Sequence, residues 1–460
     1  MTAVISRAPA RIAMPAWAVL FSILLAVAHH ADARVLLIVV DGLDAREVEA
    51  DGTPVLARAW WTSRWCPGVE SLASMPARTN TNHATLITGV EPEAHGVTGN
   101  AVWDRGAGSL RKLGAAADLQ AETTFTLARR ANRGLRTAAA VAKPKLGTMF
   151  AGDGVLQVAP DELWDARAVS DAARDDITGY AYDGTTLAAA RSLVEHAGAD
   201  FIFVNLADVD RVSHGYGPRS QQAVETRRRT DTALGSFLAW LASRPDWTTT
   251  TAFITADHGF DSMREEPLYF GNVFAAAGLR GLTVVGDGGV GHVYLTNPDA
   301  PSRVGARLAA ARRIALADPG IAEALYTAPN VADGGTRHTI ARVHREWHLV
   351  HERTGDLLLV AKPGFQIVDG SKTEAKLLGN HGGPGERRVP LIVLGGAPGP
   401  TSPQCRDVTA ADIGRTVQAC LGLPEANRTD GRAIATSVRG RVLAGVCPPA
   451  GVDSVATVND

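Results

Sequence analysis

The sequence has no excess of charge of either sign. Its 460 residues contain 46 Lys and Arg against 48 Asp and Glu, and the net charge is −2 with histidine neutral. This balance excludes the strongly basic composition of typical nucleic-acid-binding proteins and of proteins that bind anionic membrane surfaces. Charged residues make up 20% of the chain and hydrophobic residues 45%, which is typical of a globular protein and not of a disordered one.

Cysteine is also scarce. The chain has four cysteines, and none of them lies in a C-x-x-C pair, so a cysteine-based zinc site is not expected. In an exported protein, an even number of cysteines permits disulfides. Because three of the four cluster near the C-terminus, we predict one bridge among Cys405, Cys420 and Cys447, while the full pairing with Cys66 stays open. Buried free thiols are the alternative.

Long apolar runs are absent except near the N-terminus. Residues 14–28 are mostly apolar, follow Arg7 and Arg11, and precede the A-x-A pattern Ala31-Asp32-Ala33. We therefore predict a cleaved signal peptide over residues 1–33 and a periplasmic or secreted protein with no stable membrane association after cleavage. The alternative is an uncleaved anchor, but the run is shorter than the roughly 20 residues that a full span needs.

Short apolar, β-branched runs alternate with helical segments along the rest of the chain. This alternation predicts a doubly wound α/β fold, with a mostly parallel sheet flanked by helices. The runs that we interpret as buried parallel strands are Val35–Val40, Phe201–Leu206, Thr251–Thr255, Leu357–Ala361 and Pro390–Leu394. The helical segments, rich in Ala, Leu and Arg, are Thr186–Ala197, Ser220–Ser243, Pro301–Ala317 and Thr409–Leu421.

Internal repeats and low-complexity linkers are also lacking, which favours one catalytic domain over residues 34–450, followed by a tail over 451–460. The long mixed region of about 262–378 is predicted to be an inserted α+β cap subdomain. It contains a G-x-G-x-x-G pattern at 286–291, but a strand-like segment and not a helix follows it. We therefore predict a glycine-rich hairpin turn there and not a dinucleotide site.

Acidic and histidine residues lie at or near the ends of several predicted strands. In open α/β sheets, ligands bind beyond the carboxyl ends of the strands, where such side chains meet. Each residue alone is more typical of a turn, a cap or a satisfied polar group, but the combination of carboxylates and imidazoles suits zinc, and manganese or iron also fit. The six candidate metal ligands are Asp41, Asp210, His214, Asp257, His258 and His381.

A candidate nucleophile lies in the segment from Arg78 to Gly89. We predict a helix that begins near Thr79 and ends at Gly89, a residue type common at helix C-termini. A hydroxyl at a helix N-terminus lies among free backbone N–H groups, which bind a phosphoryl group well. From this segment alone, an ordinary helix cap is the alternative interpretation of Thr79.

Six motifs, in this order, resemble those of the alkaline phosphatase superfamily, and specifically of its nucleotide pyrophosphatase/phosphodiesterase branch. The resemblance covers about residues 35–433, including a similar C-terminal stretch from Asp412 to Arg432. The motifs are Val39-Val40-Asp41-Gly42, Arg78-Thr79-x-x-Asn82-His83-x-Thr85-Leu86-x-Thr88-Gly89, Glu91-Pro92-Glu93-x-His95-Gly96, Asp210-x-x-x-His214-x-x-Gly217-Pro218, Asp257-His258-Gly259 and Asn380-His381-Gly382.

The resemblance implies two divalent metal ions, Zn²⁺ first, and a covalent phospho-Thr79 intermediate. Asn100 matches the asparagine that binds a phosphoryl oxygen, and a plain loop residue is the alternative. His83 and His95 match motif positions but not ligand positions, so we interpret both as structural. By the same resemblance, one zinc would be held by Asp210, His214 and His381, and the other by Asp41, Asp257, His258 and the Thr79 alkoxide.

Lysine is rare, with six residues against 40 arginines, yet two of the six are Lys143 and Lys145. An ammonium suits a phosphate oxygen or a carboxylate. The pair resembles the lysine pair of phosphonoacetate hydrolases and the Lys-x-Arg pair of periplasmic alkaline phosphatases with a threonine nucleophile. We predict that both lysines bind a small phosphate monoester or phosphonate substrate. A solvated surface turn is the alternative.

Other activities of the superfamily remain alternatives. Diester or pyrophosphate hydrolysis would use the same site, although Met149–Gly152 departs from the Trp-Pro-Gly stretch of typical nucleotide phosphodiesterases. Sulfatases need a Cys-x-Pro-x-Arg motif, which Cys66-Pro67-Gly68 lacks, and phosphomutases are expected in the cytosol. An inactive periplasmic binding protein would lack a ligand or nucleophile, and none is missing. No nucleic-acid partner is expected, and the oligomeric state stays open.

Overall fold

The computed structural model describes residues 34–132, 134–152, 156–296, 301–369, 377–396 and 405–447, of which residues 301 and 302 are described in their backbone alone. The predicted signal peptide over residues 1–33 and the tail over 451–460 lie outside these ranges. No helix within them combines the length and the apolar character that a bilayer span requires.

Strands and helices alternate through most of the described chain. The strands, numbered in chain order, are β1 Val35–Val40, β2 Glu70–Leu72, β3 Ala101–Asp104, β4 Ser109–Lys112, β5 Thr137–Val141, β6 Glu162–Asp165, β7 Phe201–Leu206, β8 Thr251–Thr255, β9 Asp261–Ser262, β10 Leu282–Asp287, β11 Val290–Leu295, β12 Ile321–Tyr326, β13 Leu357–Ala361, β14 Gly379–Asn380, β15 Arg388–Pro390, β16 Ile392–Gly395 and β17 Val408–Thr409. The α-helices are α1 Pro54–Trp61, α2 Thr79–Thr88, α3 Pro92–His95, α4 Thr124–Ala131, α5 Pro144–Phe150, α6 Asp183–Glu195, α7 Asp208–Tyr216, α8 Gln221–Ala242, α9 Phe270–Ala276, α10 Pro301–Ala317, α11 Ile340–Val343 and α12 Ala410–Cys420.

The central sheet has six strands in the order β16-β8-β1-β7-β5-β6. All neighbours are parallel except β16, which runs antiparallel to β8 at one edge. The register pairs Val39 with both Asn205 and Thr255, so β1, β7 and β8 end at the same level. Their carboxyl ends therefore open onto one shared edge of the sheet.

Both faces of the sheet are covered, which confirms the doubly wound architecture. Alternate residues of a strand point to opposite faces, and the six residues of β1 are all buried. Leu36, Ile38 and Val40 join the core formed with α1, α6 and α8. Leu37 and Val39 join the second core, which is formed with α2, α4 and α12.

Helix boundaries follow local capping chemistry. The Ser220 side chain accepts a hydrogen bond from the Ala223 N–H at the start of α8. Thr409 and Asp412 form a reciprocal capping box at the start of α12, with hydrogen bonds of 3.1 and 3.3 Å. These caps explain why both helices begin within a residue of the predicted positions.

For two of the predicted parallel strands, the predicted direction or the predicted sheet was wrong. Leu357–Ala361 is strand β13, but it pairs antiparallel with β11 and β12 in a separate sheet. Strand β16 spans Ile392–Gly395, within reach of the predicted Pro390–Leu394, but it is antiparallel. An apolar run reports burial on both faces, and an antiparallel strand that is covered on both faces gives the same pattern.

The segment between β9 and β14 forms an antiparallel layer outside the central sheet, which we call the inserted layer. Its four strands lie in the order β10-β11-β13-β12, and α9 and α10 pack on it through a core that includes Phe270, Phe274 and Tyr326. The G-x-G-x-x-G pattern is a β10–β11 hairpin, in which Asp287 pairs with Val290, so the predicted turn is confirmed. The domain bounds of 262–378 stay a prediction.

The four cysteines form two disulfides. Cys420 is bonded to Cys447, which confirms the predicted bridge near the C-terminus, and Cys66 is bonded to Cys405. The second bridge joins the loop after α1 to a residue 339 positions later in the chain. Sequence spacing could not reveal this pairing, because it depends on how the sheet brings distant loops together.

Removal of the Cys420–Cys447 bridge should destabilise the protein. The bridge closes a loop of 27 residues, so its loss is expected to lower the free energy of unfolding by roughly 3 kcal/mol through the entropy of the unfolded chain. Urea denaturation of a Cys420→Ala/Cys447→Ala variant measures the change against the wild type under the same conditions. An unchanged urea midpoint in this variant would contradict the expectation.

Candidate active site

The candidate site lies at the carboxyl edge of the central sheet. Asp41 directly follows β1, and its backbone N–H donates to the Leu206 carbonyl at the end of β7. Helix α7 presents Asp210 and His214 one turn apart. The structure brings together all six candidate metal ligands at this edge, and they are Asp41, Asp210, His214, Asp257, His258 and His381.

Thr79 is the first residue of α2, as predicted. Arg78 before it is extended, and Gly89 ends the helix in the left-handed region with φ 67°. The Thr79 hydroxyl is buried, 3.3 Å from His258 Nε2 and 3.4 Å from Lys143 Nζ. The N-terminus of α2 therefore points its positive end at the metal-ligand cluster.

The three candidate histidine ligands share one orientation. In each, Nδ1 lies at hydrogen-bond distance from a backbone carbonyl oxygen, so it carries the proton, and Nε2 turns its lone pair toward the carboxylates. Such an arrangement is typical of metal-binding histidines. The Nδ1 partners are Gly379 O at 3.0 Å for His214, Gly259 O at 3.1 Å for His258 and Ala77 O at 2.7 Å for His381.

Burial keeps two of these imidazoles neutral. Loss of solvation lowers the pKa of His258 to about 4, although the Asp257 carboxylate opposes this. Burial, with positive neighbours, also lowers the pKa of His381 well below its ordinary value. Both side chains are therefore unprotonated ligands near neutral pH.

The carboxylates carry more negative charge than the protein neutralises. Three of them, Asp41, Asp210 and Asp257, are buried, and one ammonium, that of Lys143, contacts the first two at 2.8 and 2.7 Å. Burial and the nearby Asp257 raise the pKa of Asp41 well above its usual range. Buried charge of this kind requires counter-charge, and the set of carboxylate oxygens and neutral imidazole nitrogens fits divalent cations.

Lys143 is not on a surface turn, so that alternative is wrong. Lys143 is the N-cap residue of α5. Its side chain is 1% exposed, because it extends between Asp41 and Asp210. Lys145 is half-buried, and burial together with the Lys143 ammonium lowers its pKa to about 7. The two lysines therefore differ in role, since Lys143 is ion-paired within the site and Lys145 faces the cleft.

A cleft of about 240 Å³ opens in front of Thr79. Asn100 lies on its wall, where Asn100 Oδ1 accepts a hydrogen bond of 3.1 Å from the Asn80 N–H. This bond directs the Asn100 amide NH₂ group away from the helix. The residues that line the cleft are Arg78, Thr79, Asn100, Lys143, Lys145, Thr178, Tyr180, Asp210, Arg211, His214 and His381.

Comparison with protein families assigns the chain. The family described as type I phosphodiesterase / nucleotide pyrophosphatase matches residues 35–384, which include every candidate ligand and the nucleophile. The chain belongs to this family. It is a metal-dependent hydrolase of phosphoric esters within the alkaline phosphatase superfamily. A search of curated proteins finds no match.

Solved structures have the same fold. The murine ectonucleotide pyrophosphatase/phosphodiesterase 5 has a TM-score of 0.64 at 16% identity, over 85% of this chain and 96% of that one. Its human counterpart gives 0.63 at 18%, over 85% and 95%. Phosphonoacetate hydrolase from Sinorhizobium meliloti, in complex with phosphonoformate, gives 0.62 at 20%, over 84% and 95%. At these identities the likeness establishes the fold.

Within the part of the chain that the structure describes, His83 is a further histidine close enough to join a metal-binding group, with Asp41 and Asp257. Its Nδ1 lies 2.9 Å from the Thr79 carbonyl oxygen, and its Nε2 lies 3.2 Å from the Asn205 amide nitrogen. Both ring nitrogens are therefore engaged within the protein. This supports a structural role for His83 and leaves the Asp41, Asp257 and His258 set as the proposed second site.

Sequence reasoning missed the residues that hold the ligands in place. Asn205 donates to Asp41 Oδ2 at 2.9 Å from the strand β7. The Phe260 ring packs against all three candidate histidine ligands, with centroid distances of 4.9 to 5.7 Å. It also explains Gly42, where a Cβ would lie 2.6 Å from that ring. Phe260 directly follows the Asp257-His258-Gly259 motif but is not part of it, so the motif did not indicate its role.

The different surroundings of His258 and His83 allow a direct test of which histidines bind metal. His258→Ala should lower the zinc bound per chain, because it removes a lone pair aimed at the carboxylates, whereas His83→Gln should retain the zinc content. Elemental analysis after dialysis against limiting Zn²⁺ measures both, and thermal melts exclude unfolded samples. Loss of zinc from His83→Gln with full retention in His258→Ala would reverse the assignment.

Proposed function

We propose that the protein hydrolyses small phosphate monoesters or phosphonates through a covalent intermediate on Thr79, with two divalent cations, most readily Zn²⁺, at the carboxyl edge of the sheet. The observation that carries this proposal is the position of the Thr79 hydroxyl. It lies at the N-terminus of α2, 3.3 Å from His258 Nε2 and beside three buried carboxylates. A hydroxyl in such a place supports nucleophilic catalysis.

The bound cations would lower the pKa of the threonine hydroxyl and offset the charge that develops on the entering and leaving oxygens. Asp210, His214 and His381 would hold one ion, and Asp41, Asp257 and His258 the other. The protein's own residues do the rest. Asn100 donates to an equatorial phosphoryl oxygen, and the N-terminus of α2 offers its positive end to the same group.

The reaction proceeds in two displacements. The Thr79 hydroxyl releases its proton to solvent as its oxygen attacks phosphorus. The bond from phosphorus to the leaving group breaks, and the departing oxygen or carbon takes up a proton from solvent. Water then attacks the phospho-Thr79 ester, the bond between phosphorus and the Thr79 oxygen breaks, and phosphate leaves. The threonine hydroxyl regains a proton, so the enzyme returns to its starting state.

The charge of the cleft favours substrates with extra negative charge. Four cations line it, and three of them are paired with carboxylates of the protein, namely Arg78 with Asp287, Lys143 with Asp41 and Asp210, and Arg211 with Asp175 and Asp208. Lys145 forms no ion pair with the described residues, and a dianionic monoester or a carboxylated phosphonate gains more from it than a monoanionic diester does. The volume of about 240 Å³ suits a small substrate. Met149 and Phe150 pack in the core, so the departure at Met149–Gly152 does not bear on the cleft directly.

Phosphodiester or pyrophosphate hydrolysis is the second candidate, because it is the activity for which the family is described. The same metal-ligand set and nucleophile would serve it. Sulfatase, phosphomutase and inactive binding roles lack a supporting observation among the described residues. The two disulfides are compatible with the proposed export to the periplasm or the cell exterior.

Thr79 can be tested as the nucleophile. Thr79→Ala should reduce kcat/KM for p-nitrophenyl phosphate by roughly 1,000-fold or more, since the first displacement is lost. Thr79→Ser keeps a hydroxyl and should retain part of the activity. Rapid acid quenching followed by peptide mass spectrometry should find a phosphorylated peptide containing Thr79 in the wild type. Full activity in Thr79→Ala would rule out the covalent mechanism.

Lys145 should distinguish monoesters from diesters. Lys145→Ala is expected to lower kcat/KM roughly tenfold for p-nitrophenyl phosphate and phosphonoacetate, since it removes a charge-assisted contact. The effect on bis-p-nitrophenyl phosphate should be smaller. Lys112→Ala, at an exposed lysine, is the matched control. A larger loss on the diester would favour the phosphodiesterase alternative.

The lowered pKa of Lys145 also predicts a pH effect. Because that pKa is about 7, the side chain loses its proton as the pH rises through this value and attracts the dianion less. KM for the monoester should therefore rise between about pH 6.5 and 8.5 in the wild type, while Lys145→Arg, which stays charged, should have a flatter profile. If KM had the same pH dependence in the wild type and in Lys145→Arg, Lys145 would have no part in substrate binding.

A further inference from the structure

Asp287 belongs to the inserted layer, yet its carboxylate lies among residues of the candidate active site. It ends β10 at the hairpin turn and is 4% exposed. Its Oδ2 accepts a hydrogen bond of 3.1 Å from the Asn100 backbone N–H, and its Oδ1 lies 2.9 Å from Arg78 Nε. One buried carboxylate therefore contacts two residues that line the substrate cleft.

Each of these two contacts leads to a different part of the site. Asn100 is held at both ends, because its backbone N–H donates to Asp287 and its side-chain Oδ1 accepts from Asn80 N–H at the start of α2. The position of the Asn100 amide NH₂ group, which faces the cleft, follows from these two bonds. Without the Asp287 bond, the Asn100 backbone would be held through its side chain and its own carbonyl contact to Leu113.

Arg78, the second residue that Asp287 contacts, also binds the loop that contains His381. Its Nη1 donates to Asn380 Oδ1 at 3.1 Å and to the His381 carbonyl at 3.2 Å. The hairpin turn supports the same loop directly, since the Gly289 N–H donates to the His381 carbonyl at 3.1 Å. Asp287 thus joins the residue before the nucleophile to the loop of a candidate ligand.

The contact depends on a close approach that only glycine permits. A Cβ on Gly99, the residue before Asn100, would lie 2.5 Å from Asp287 Oδ2. The two segments therefore fit each other in shape as well as in hydrogen bonding: one is Gly99-Asn100, and the other is Asp287-Gly288. A surface ion pair would not need such a fit.

We propose that Asp287 is a positioning residue, through which the inserted layer sets the position of the Asn100 amide and of Arg78 for phosphoryl transfer. The inference rests on the proposed function, since it assumes that Asn100 contacts the phosphoryl group. Asp287 itself touches no reacting atom. A small displacement of a group that stabilises the transition state is enough to slow the reaction strongly.

The nearly isosteric change Asp287→Asn tests this role. An asparagine side chain is uncharged and has one acceptor oxygen in place of two, so the Arg78 guanidinium loses its ion-pair partner and the Asn100 N–H retains at most a hydrogen bond to a neutral acceptor. The kcat for p-nitrophenyl phosphate should fall roughly tenfold to a hundredfold, with little change in KM, because Asn100 acts mainly on the transition state. Asp287→Glu keeps the negative charge but places the carboxylate one methylene further from the backbone, so it should recover only part of the loss.

A double-mutant cycle separates positioning from general stability. Asn100→Ala, Asp287→Asn and the double variant are compared in kcat, KM, bound zinc and thermal melting. If Asp287 acts through Asn100, the two losses in kcat are far from multiplicative, and Asp287→Asn costs little once Asn100 is gone. Bound zinc should stay unchanged in all three.

Asp333→Asn is the matched control, because Asp333 accepts hydrogen bonds from Arg312 and Tyr326 of the same inserted layer. It should change melting but not kcat. Independent, multiplicative losses from Asn100→Ala and Asp287→Asn, or an equal loss of kcat in Asp333→Asn, would overturn the inference. If Asn100→Ala alone had no effect, the proposed function of Asn100 would fail instead, so the two failures are distinguishable.

Discussion

Concentrated negative charge at the carboxyl edge of the parallel sheet is the constraint on which the rest of the structure depends. Asp41, Asp210 and Asp257 are all buried there, and the single contacting ammonium of Lys143 leaves them under-compensated. The structure places neutral imidazoles and the positive end of α2 beside these carboxylates, and both tolerate or attract an anionic substrate once cations are bound.

Rigid support of the nucleophile follows from buried polar networks behind it. The Asn82 side chain bonds to the backbone of Ser74, and Ser74 Oγ donates to Glu91 at 2.6 Å. Thr85, on the same face of the helix, contacts Ser74 Oγ at 3.3 Å and His95 Nε2 at 2.9 Å. These contacts account for much of the threonine-asparagine-histidine motif and of the Glu91–Gly96 motif. Much of what makes the motifs specific is therefore structural, and a smaller part contacts the substrate.

The sequence allowed β1, β7 and β8 of the central sheet, the helix at Thr79 and the candidate ligands to be predicted, because each has a local signature, whereas β5 and β6 of the same sheet were missed. A fully apolar run such as Val35–Val40 indicates a buried strand, and an acidic residue directly after it indicates the edge of the sheet. Strand direction was not predictable at β13 and β16, since burial alone does not encode it. Asn205, Phe260 and Asp287 were missed because each acts through a contact between distant segments.

Substrate preference depends on features that the sequence gives only weakly. The lysine pair was visible, but its two members proved to differ, because Lys143 enters the ligand cluster and Lys145 borders the cleft. Lys143 is the N-cap of α5 and Lys145 lies in its first turn, and the contacts of each depend on distant segments that no local pattern specifies. The family assignment narrows the chemistry to phosphoric ester hydrolysis, and the position of Lys145 at the cleft supports the proposed preference for small, highly charged substrates.

The place of β1 in the middle of the sheet has a kinetic consequence. It is the first strand of the described chain, yet Val35 pairs with Phe201 on one side and Thr251 on the other. The sheet therefore cannot close until the polypeptide is more than half synthesised, and the ligand loop at His381 arrives later still. Such non-local pairing slows folding. An emerging chain of this kind spends a long interval with its most hydrophobic strand unpaired, and is a natural client for chaperones that hold chains open.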